Sequence, residues 1–415
     1  MQQLAKSKLN LSFDNSFARL PEAFYRRVEP TPLPAPYLIS VNADAAALLD
    51  IDLEATRTTE FLETFVGNRT PEGAEPLAAI YAGHQFGSFV PQLGDGRAIL
   101  LGEVKNRQGA RWDVQLKGAG KTPFSRFGDG RAVLRSTIRE YLCSEAMHHL
   151  GIPTTRALSI TGSDAPVQRE TIETAAVLTR LAPTHVRFGS FELFHHRNQP
   201  ERVTELADYV IRNHYPELDG KPDKYTQFLT EITRRTARLM AQWQAVGWTH
   251  GVMNTDNMSI IGLTIDYGPF AFMDDYDPNF IPNHSDYNGR YAYSQQPRIG
   301  IWNLVCLAYT LLHLIPQQEA QAALDTYQFV FAEAFGELMR DKFGFGEIRE
   351  GDAELVAKSF ELLAANHVDY TTFFRRLGNI KTTESETAHT PDAVRDLFPD
   401  IAAFERTLRP GSPTG

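Results

Sequence analysis

Three side chains that could hold a cation bracket one short stretch of this 415-residue chain. Asp256 and Asn257 end a polar loop, His250-Gly251-Val252-Met253-Asn254-Thr255-Asp256-Asn257, and Asp266 follows the apolar run Met258 to Ile265. A hairpin over that run would bring its two mouths together, so the oxygens of Asp256, Asn257 and Asp266 would converge. Hard divalent cations such as Mg²⁺ are held by one or two such oxygens together with the phosphates of a nucleotide. The plainer use of Asp and Asn is to open and close turns.

A second constellation precedes it. Lys117 ends the alternating run Trp112-Asp113-Val114-Gln115-Leu116-Lys117, and Glu140 sits in the next helical segment. A strand lysine held by a helix glutamate is how protein kinases fix a lysine against nucleotide phosphates. Taken alone, two residues this far apart could be unrelated. Between Lys117 and Arg139 the basic residues are Lys117, Lys121, Arg126, Arg131, Arg135 and Arg139, with only Asp129 opposing them. In a protein of net charge −10 this is a local positive patch interleaved with glycines. Glycine lets backbone N–H groups approach an anion, and Arg and Lys neutralise phosphate. A solvated basic helix edge would look the same.

The elements that must position these residues follow from periodicity. Short helices are expected over Ala43–Leu49, behind an Asn42/Asp44 start signal, and over Thr58–Val66. Leu93-Gly94-Asp95-Gly96-Arg97 reads as a hairpin turn into the strand Ala98–Val104, because Asp-Gly suits positive-φ positions. In the next strand Trp112, Val114 and Leu116 face one side, and Asp113, Gln115 and Lys117 the other. A Gly-rich stretch, 118–130, ends in a second GDGR. A helix over about 132–150 then shows an apolar stripe of Leu134, Ile138, Tyr141, Leu142 and Leu150, with Glu140 opposite beside Ser136 and Ser144. A hairpin over Ala157–Leu181 leads to Arg180 and Arg187. Helices are expected over about 202–214, 223–246, 299–315 and from 318 to 375, with a long polar loop from Asp274 to Pro297.

Composition sets outer limits. The length favours two lobes or domains. Net charge −10 argues against general affinity for nucleic acid or acidic membrane. Cys143 and Cys306 are too few for a disulfide framework, and their spacing suggests no zinc motif. The N-terminus lacks a signal-peptide core, and the most apolar run, Ile299–Ile315, carries Asn303 and His313. A cytoplasmic protein is expected. The Pro-rich segment Pro30–Pro36 cannot be helix interior and should wrap over another surface. The last residues, PGSPTG, should be disordered.

Strand Lys, helix Glu, polar loop with Asn, hairpin, then Asp-Tyr-Gly is an order more specific than any of its parts. The chain resembles the selenoprotein O family, a branch of the protein kinase-like fold, over roughly residues 10 to 310. The motifs that carry the resemblance are FDNSF (13–17), YAGHQFG (81–87), QLGDGRA (92–98), QLKGAGKTPFSRFGDGRAVLRSTIREYL (115–142), LTRLAPTHVRFGSFE (178–192), THGVMNTDNMSIIGLTIDYGPF (249–270) and YSQQPRIGIWNL (293–304). The resemblance implies an α+β, bilobal kinase-like fold. Residues 1–75 would be an extension, 76–190 an N-lobe of antiparallel sheet plus helix, 191–409 a mainly helical C-lobe, and 410–415 a tail.

A protein kinase places its catalytic Asp five residues before the metal-binding Asn. Here that position is Val252, which can neither accept a proton nor bind Mg²⁺. The family is regarded as pseudokinase by motif, yet active in a different transfer. It is understood to bind ATP in a reversed orientation and to move AMP onto Ser, Thr or Tyr hydroxyls of proteins, itself included. By motif, the resemblance implies that Gly94, Gly96 and Arg97 contact the nucleotide. Lys117, supported by Glu140, would bind phosphate, with Arg180 and Arg187 clamping it. Asp129 and Gly130 would meet ATP as well. Asp256 would be the base, while Asn257 and Asp266 hold Mg²⁺ or Mn²⁺. Two alternatives remain at this stage: an ATP-dependent kinase of a protein or small molecule, and a non-catalytic nucleotide-binding module. Bacterial members run on through a segment like NPKYVLRNYLAQ and a Cys-containing end. This chain ends without them, so redox control through a terminal cysteine is not expected here.

Overall fold

The computed structural model describes residues 9–347, 349–379 and 392–398. The expected tail, 410–415, and the first eight residues of the expected extension lie outside them. The chain divides into two compact units: one of residues up to 232 with 254–268 and 303–324, the other of 233–253, 269–302 and 325 onward.

Among the described residues, the first unit carries one antiparallel nine-stranded sheet. Its strands are β1 (Tyr25–Arg27), β2 (Tyr37–Val41), β3 (Leu77–Gln85), β4 (Ser88–Gly94), β5 (Ala98–Lys105), β6 (Arg111–Lys117), β7 (Ala132–Val133), β8 (Arg156–Gln168) and β9 (Ile172–Ala182). Their order is β1-β3-β5-β6-β9-β8-β2, with β4 on β3 and β7 on β9. The fold is α+β, as expected. The β8–β9 hairpin forms as its pattern predicts.

The period of two in β6 decides what each face does. Val114 and Leu116 are fully buried with Phe61 and Phe65 of a helix over Thr59–Val66. Truncating either phenylalanine to alanine would cost about 3–5 kcal/mol. The opposite face presents Asp113, Gln115 and Lys117, and it too is largely covered. Polar groups buried on that face must therefore pair with one another.

The helices are α1 (Ala43–Ala47), α2 (Thr59–Val66), α3 (Leu134–His149), α4 (Phe188–His196), α5 (Pro200–His214), α6 (Lys224–Ala245), α7 (Gln296–Leu311), α8 (Gln317–Phe343), α9 (Asp352–Ala365), α10 (Tyr370–Leu377) and α11 (Asp392–Arg395). Asn42 caps α1 through the N–H groups of Asp44 and Ala45, and Thr58 caps α2 through that of Phe61. In the second unit a two-stranded ribbon joins β10 (Trp248–Thr249) to β11 (Ala271–Phe272). The side chain of Gln296 there bonds the backbone of both Trp248 and His250.

Three expectations need correction. First, Asp95 and Gly96 do not close a β4–β5 hairpin, because β4 pairs with β3, and β5 pairs with β6 and, at one position, with β3. The Asp95 N–H bonds Ala79 O at 3.0 Å, so the turn is fastened to β3. Second, Met258–Ile265 is not a self-paired hairpin. Its first limb bonds residues 186–188, through Phe188 N–H to Met258 O and Ile260 N–H to Val186 O, both 3.0 Å. Its second limb bonds Pro153 and Thr155 through Thr264. Third, α3 does not bury the expected stripe. Ile138, Leu142 and Leu150 are 36%, 61% and 53% exposed, whereas Thr137, Glu140, Cys143, Ser144 and Met147 face inward. Leu134 and Tyr141 still pack on Ala157, Ile160 and Leu178. The helix turns this way because Lys117 and Arg180 are buried and need the Glu140 carboxylate beside them.

The Gly-rich stretch is a knot rather than an open loop. The Thr122 hydroxyl donates to Asp95 O at 2.7 Å, and the Ser125 hydroxyl to Gly96 O. Phe124 packs so closely that a Cβ on Gly94 would stand 2.4 Å from its ring. A Cβ on Gly130 would stand 2.1 Å from Gly120 O. Arg131 donates to Thr31 O at 2.9 Å and Pro32 O at 3.1 Å, which fastens the Pro-rich segment to the sheet domain.

Candidate active site

Lys117, at the end of β6, reaches Glu140 of α3 in a close ion pair. Glu140 also accepts from Arg180 Nη1 at 3.1 Å. Arg180 lies on β9 directly across from Gln115 of β6, whose side-chain oxygen it also meets. Arg180 Nη1 then donates to Asp266 at 2.6 Å, and Arg187 grips the other Asp266 oxygen. Lys117, Glu140, Arg180, Asp266 and Arg187 thus form one continuous chain of alternating charge. The two arginines are each 2% exposed, so the charges are compensated by partners rather than by water.

Burial pushes the Asp266 carboxyl upward, but Arg187, Arg180 and Lys117 outweigh it and hold it well below the usual carboxylate range. Asp266 adopts φ +57°, a left-handed conformation uncommon outside glycine. Both carboxylate oxygens meet an arginine in that pose. Burial depresses the Lys117 ammonium, with Glu140 pulling the other way.

Asp256 lies in a 3₁₀ turn, Thr255–Asn257. Arg187 ties the turn to Asp266 by donating to Asp256 O at 2.8 Å. Gln85 Nε2 donates to Asp256 Oδ2 at 3.3 Å, while Oδ1 is buried without a hydrogen-bond partner. Burial raises the Asp256 carboxyl to about 6. A buried carboxylate oxygen left unpaired is costly, and it marks where a proton or a ligand is meant to go. Asn257 shares the turn, its N–H bonded to Asn254 O at 2.9 Å.

The positive patch does not assemble as one surface. Lys117 joins the charge chain, whereas Arg131 fastens the Pro-rich segment and Arg135 pairs with Glu173 at 2.8 Å. Lys121, Arg126 and Arg139 are exposed. Asp129 pairs with Arg169 at 2.8 Å and accepts the Arg131 N–H, contacts that lower its carboxyl to about 2. Gly94 and Gly96 flank the buried Asp95, and Arg97 is exposed beside them.

Several residues were given no role from the sequence. Asp95 accepts from Ala79 N–H at 3.2 Å, from the Tyr81 hydroxyl and Gln115 at 3.3 Å, and stands 3.7 Å from Arg187. Arg187 also lies 4.8 Å over the Tyr81 ring. Glu192 of α4 accepts the Thr255 hydroxyl, and Thr255 Oγ1 accepts the His84 N–H at 2.7 Å. All lie within motifs already singled out, but nothing local marks what they touch.

Gly83 and Gly189 explain how the turn comes so near. A Cβ on Gly83 would stand 2.7 Å from Asp256 Oδ1, and one on Gly189 would stand 2.1 Å from Ala82 O. Gly83 has an ordinary negative-φ backbone, so Gly83→Ala changes only the space beside Asp256. It is expected to lower the turnover of the site roughly 10²-fold, as misplacement by about 1 Å does, with substrate affinity little changed. Initial rates and a binding titration on the same preparation check this.

An α+β protein with a paired strand lysine and helix glutamate, two buried arginines and a buried, half-unpaired aspartate is built to manage concentrated negative charge. The family model described as Protein adenylyltransferase SelO matches residues 7–397, and the chain belongs to this family of nucleotidyltransferase enzymes. It is similar to proteins named Protein nucleotidyltransferase YdiU from several bacteria. The Myxococcus xanthus protein is 58% identical over 395 residues, covering 95% of this chain and 80% of the relative. The Thiobacillus denitrificans protein is 56% identical over 398 residues, with the same coverages. That of Thioalkalivibrio sulfidiphilus is 56% identical over 405 residues, covering 96% and 81%. Among the described residues no helix is long and apolar enough to cross a membrane.

Proposed function

We propose that this chain transfers AMP from ATP to Ser, Thr or Tyr hydroxyls of proteins, with the nucleotide bound in reversed orientation and pyrophosphate released. Asp256 carries this reading: its carboxylate is buried, its Oδ1 is unpaired, and the chain has Val252 where a kinase has its base. Asp256 takes the proton of the attacking hydroxyl. That oxygen bonds to the α-phosphorus, the bond from the α-phosphorus to the bridging oxygen breaks, and pyrophosphate leaves with the electron pair. Gln85 and Arg187 hold the Asp256 side chain and carbonyl in place. Lys117, Arg180 and Arg187 supply positive charge for the phosphates, and Glu140 keeps the lysine extended toward them.

Asp256, Asn257 and Asp266 offer an all-oxygen donor set, which suits Mg²⁺ or Mn²⁺, and the unpaired Oδ1 is an oxygen ready for a proton or a cation. Asn257 and Asp266 would hold the ion, Asp266 yielding an oxygen now held by an arginine. Bound there, a divalent ion would neutralise phosphate charge that builds as pyrophosphate departs. Gly94, Gly96, Arg97, Asp129 and Gly130 are read as further nucleotide contacts on the strength of the family motif. The reading includes a bilobal kinase-like arrangement, with an extension over 1–75, an N-lobe over 76–190 and a C-lobe over 191–409. It places the enzyme in the cytoplasm, acting on proteins and not on nucleic acid or membrane.

The test is the intact mass of the purified protein after incubation with ATP and Mg²⁺, alone and with a candidate protein substrate. An added AMP, absent in Asp256→Asn, is expected. An added phosphate would replace this reading with that of a kinase. The rate should rise about tenfold per pH unit below pH 6 and level off above it, as the Asp256 carboxylate forms.

A further inference from the structure

The nucleotide reading uses neither His84 nor Cys306, yet the fold brings them to the same place as Glu192. One donor atom from each of the three lies within 4.8 Å of the others. All three residues belong to the first unit: His84 on β3, Glu192 on α4 and Cys306 on the part of α7 that lies in it. We propose that His84, Glu192 and Cys306 form a second cation site, selective for a borderline-soft divalent ion of the Zn²⁺ class and distinct from the all-oxygen set at Asp256, Asn257 and Asp266.

The donors decide the class of ion. Imidazole, carboxylate and thiolate together favour Zn²⁺, whereas Mg²⁺ and Ca²⁺ prefer oxygen alone. Three protein ligands with one side open is the arrangement that leaves a coordination position for water. His84 supplies the opening, its side chain 19% exposed while that of Glu192 is 1% exposed. The carboxylate is already oriented: one oxygen accepts the Thr255 hydroxyl, and the other lies 2.6 Å from His84 Nδ1. Outer hydrogen bonds of this kind fix a metal-binding carboxylate. Phe89 and His196, their rings 3.8 Å apart, pack beside His84, and burial lowers the pKa of the His196 imidazole.

Thr255 immediately precedes Asp256, so an ion held by Glu192 also stiffens the turn that carries the proposed base. A His84–Glu192 hydrogen bond with a merely adjacent thiol is the competing account.

Cobalt(II) distinguishes the two, because a thiolate ligand gives a charge-transfer band in the near ultraviolet that oxygen and nitrogen ligands do not. Tag-free full-length protein, stripped of metal, is titrated with Co²⁺ in excess Mg²⁺, which fills the oxygen site. The expected result is one tightly bound Co²⁺ with that band, displaced by Zn²⁺. Cys306→Ser should lose the band while Cys143→Ser, at the other cysteine, keeps it. His84→Ala should weaken binding at least about tenfold. No band in the wild type, or an unchanged band in Cys306→Ser, overturns the site, and either result leaves the proposed AMP transfer untouched.

Discussion

Asp256→Asn is expected to abolish AMP transfer and, in the same protein, to raise the stability of the ligand-free fold. The carboxyl is buried and raised from the usual 3.8 to about 6. At neutral pH the folded state therefore holds a charge it disfavours by up to roughly 3 kcal/mol. A folded pKa above the unfolded one means that the neutral carboxyl fits the fold. The favourable contribution is present below pH 3.8 and is lost as pH rises through about 6. Asparagine stays neutral throughout, so its advantage should be greatest near pH 8, roughly halve by pH 5 and vanish near pH 3. A gain of about 1–3 kcal/mol would appear as several degrees in Tm for a domain of this size. Thermal unfolding of both proteins at pH 8 and pH 5, beside a transfer assay, checks this. An asparagine variant less stable than wild type at pH 8 would show that the Asp256 charge is satisfied in the fold and would remove the case for it as the base.

Asp266→Ala should move stability in the opposite direction. It strips the shared counter-charge from Arg180 and Arg187, both 2% exposed, and leaves Lys117 with one carboxylate fewer nearby. Breaking a buried ion pair by removing one partner costs about 3–5 kcal/mol, or roughly 10 °C in Tm. Because the Asp266 pKa is depressed, its contribution is present at neutral pH and is lost as the solution is acidified below pH 4. The deficit of the alanine variant should therefore shrink in acid, which unfolding curves at pH 7 and below pH 3 would reveal. A deficit under about 1 kcal/mol at pH 7 would mean that the arginines find other partners. Loss of transfer in Asp266→Ala consequently speaks for cation binding only when the folded fraction has been measured. Asp256→Asn removes one acceptor without orphaning a cation, and is the cleaner probe of chemistry.

The groups that make up the site were legible in the chain's own motifs. Lys117, Glu140, Arg180, Arg187, Asp256, Asn257 and Asp266 stand in motifs long enough to place the chain in its family. Six of them join a single network through the contacts described, and Asn257 shares the turn that carries Asp256. Alternation in β6 was legible because a strand side chain's face depends only on parity. The β8–β9 hairpin and the cap of α1 were legible because their partners lie close in the chain. The direction in which α3 faces was set by contacts made in the folded chain. Its apolar residues suggested Ile138 and Leu142 inward, but compensation of the buried Lys117 and Arg180 by Glu140 prevailed, and that requirement arises on other strands. The same holds for Asp95, Gln85 and Glu192, and for the two glycines that admit the Asp256 turn. Gln85 and Asp256 are 171 residues apart. Local pattern records how polar a surface must be, whereas a contact over that distance depends on where the rest of the fold has put the partner.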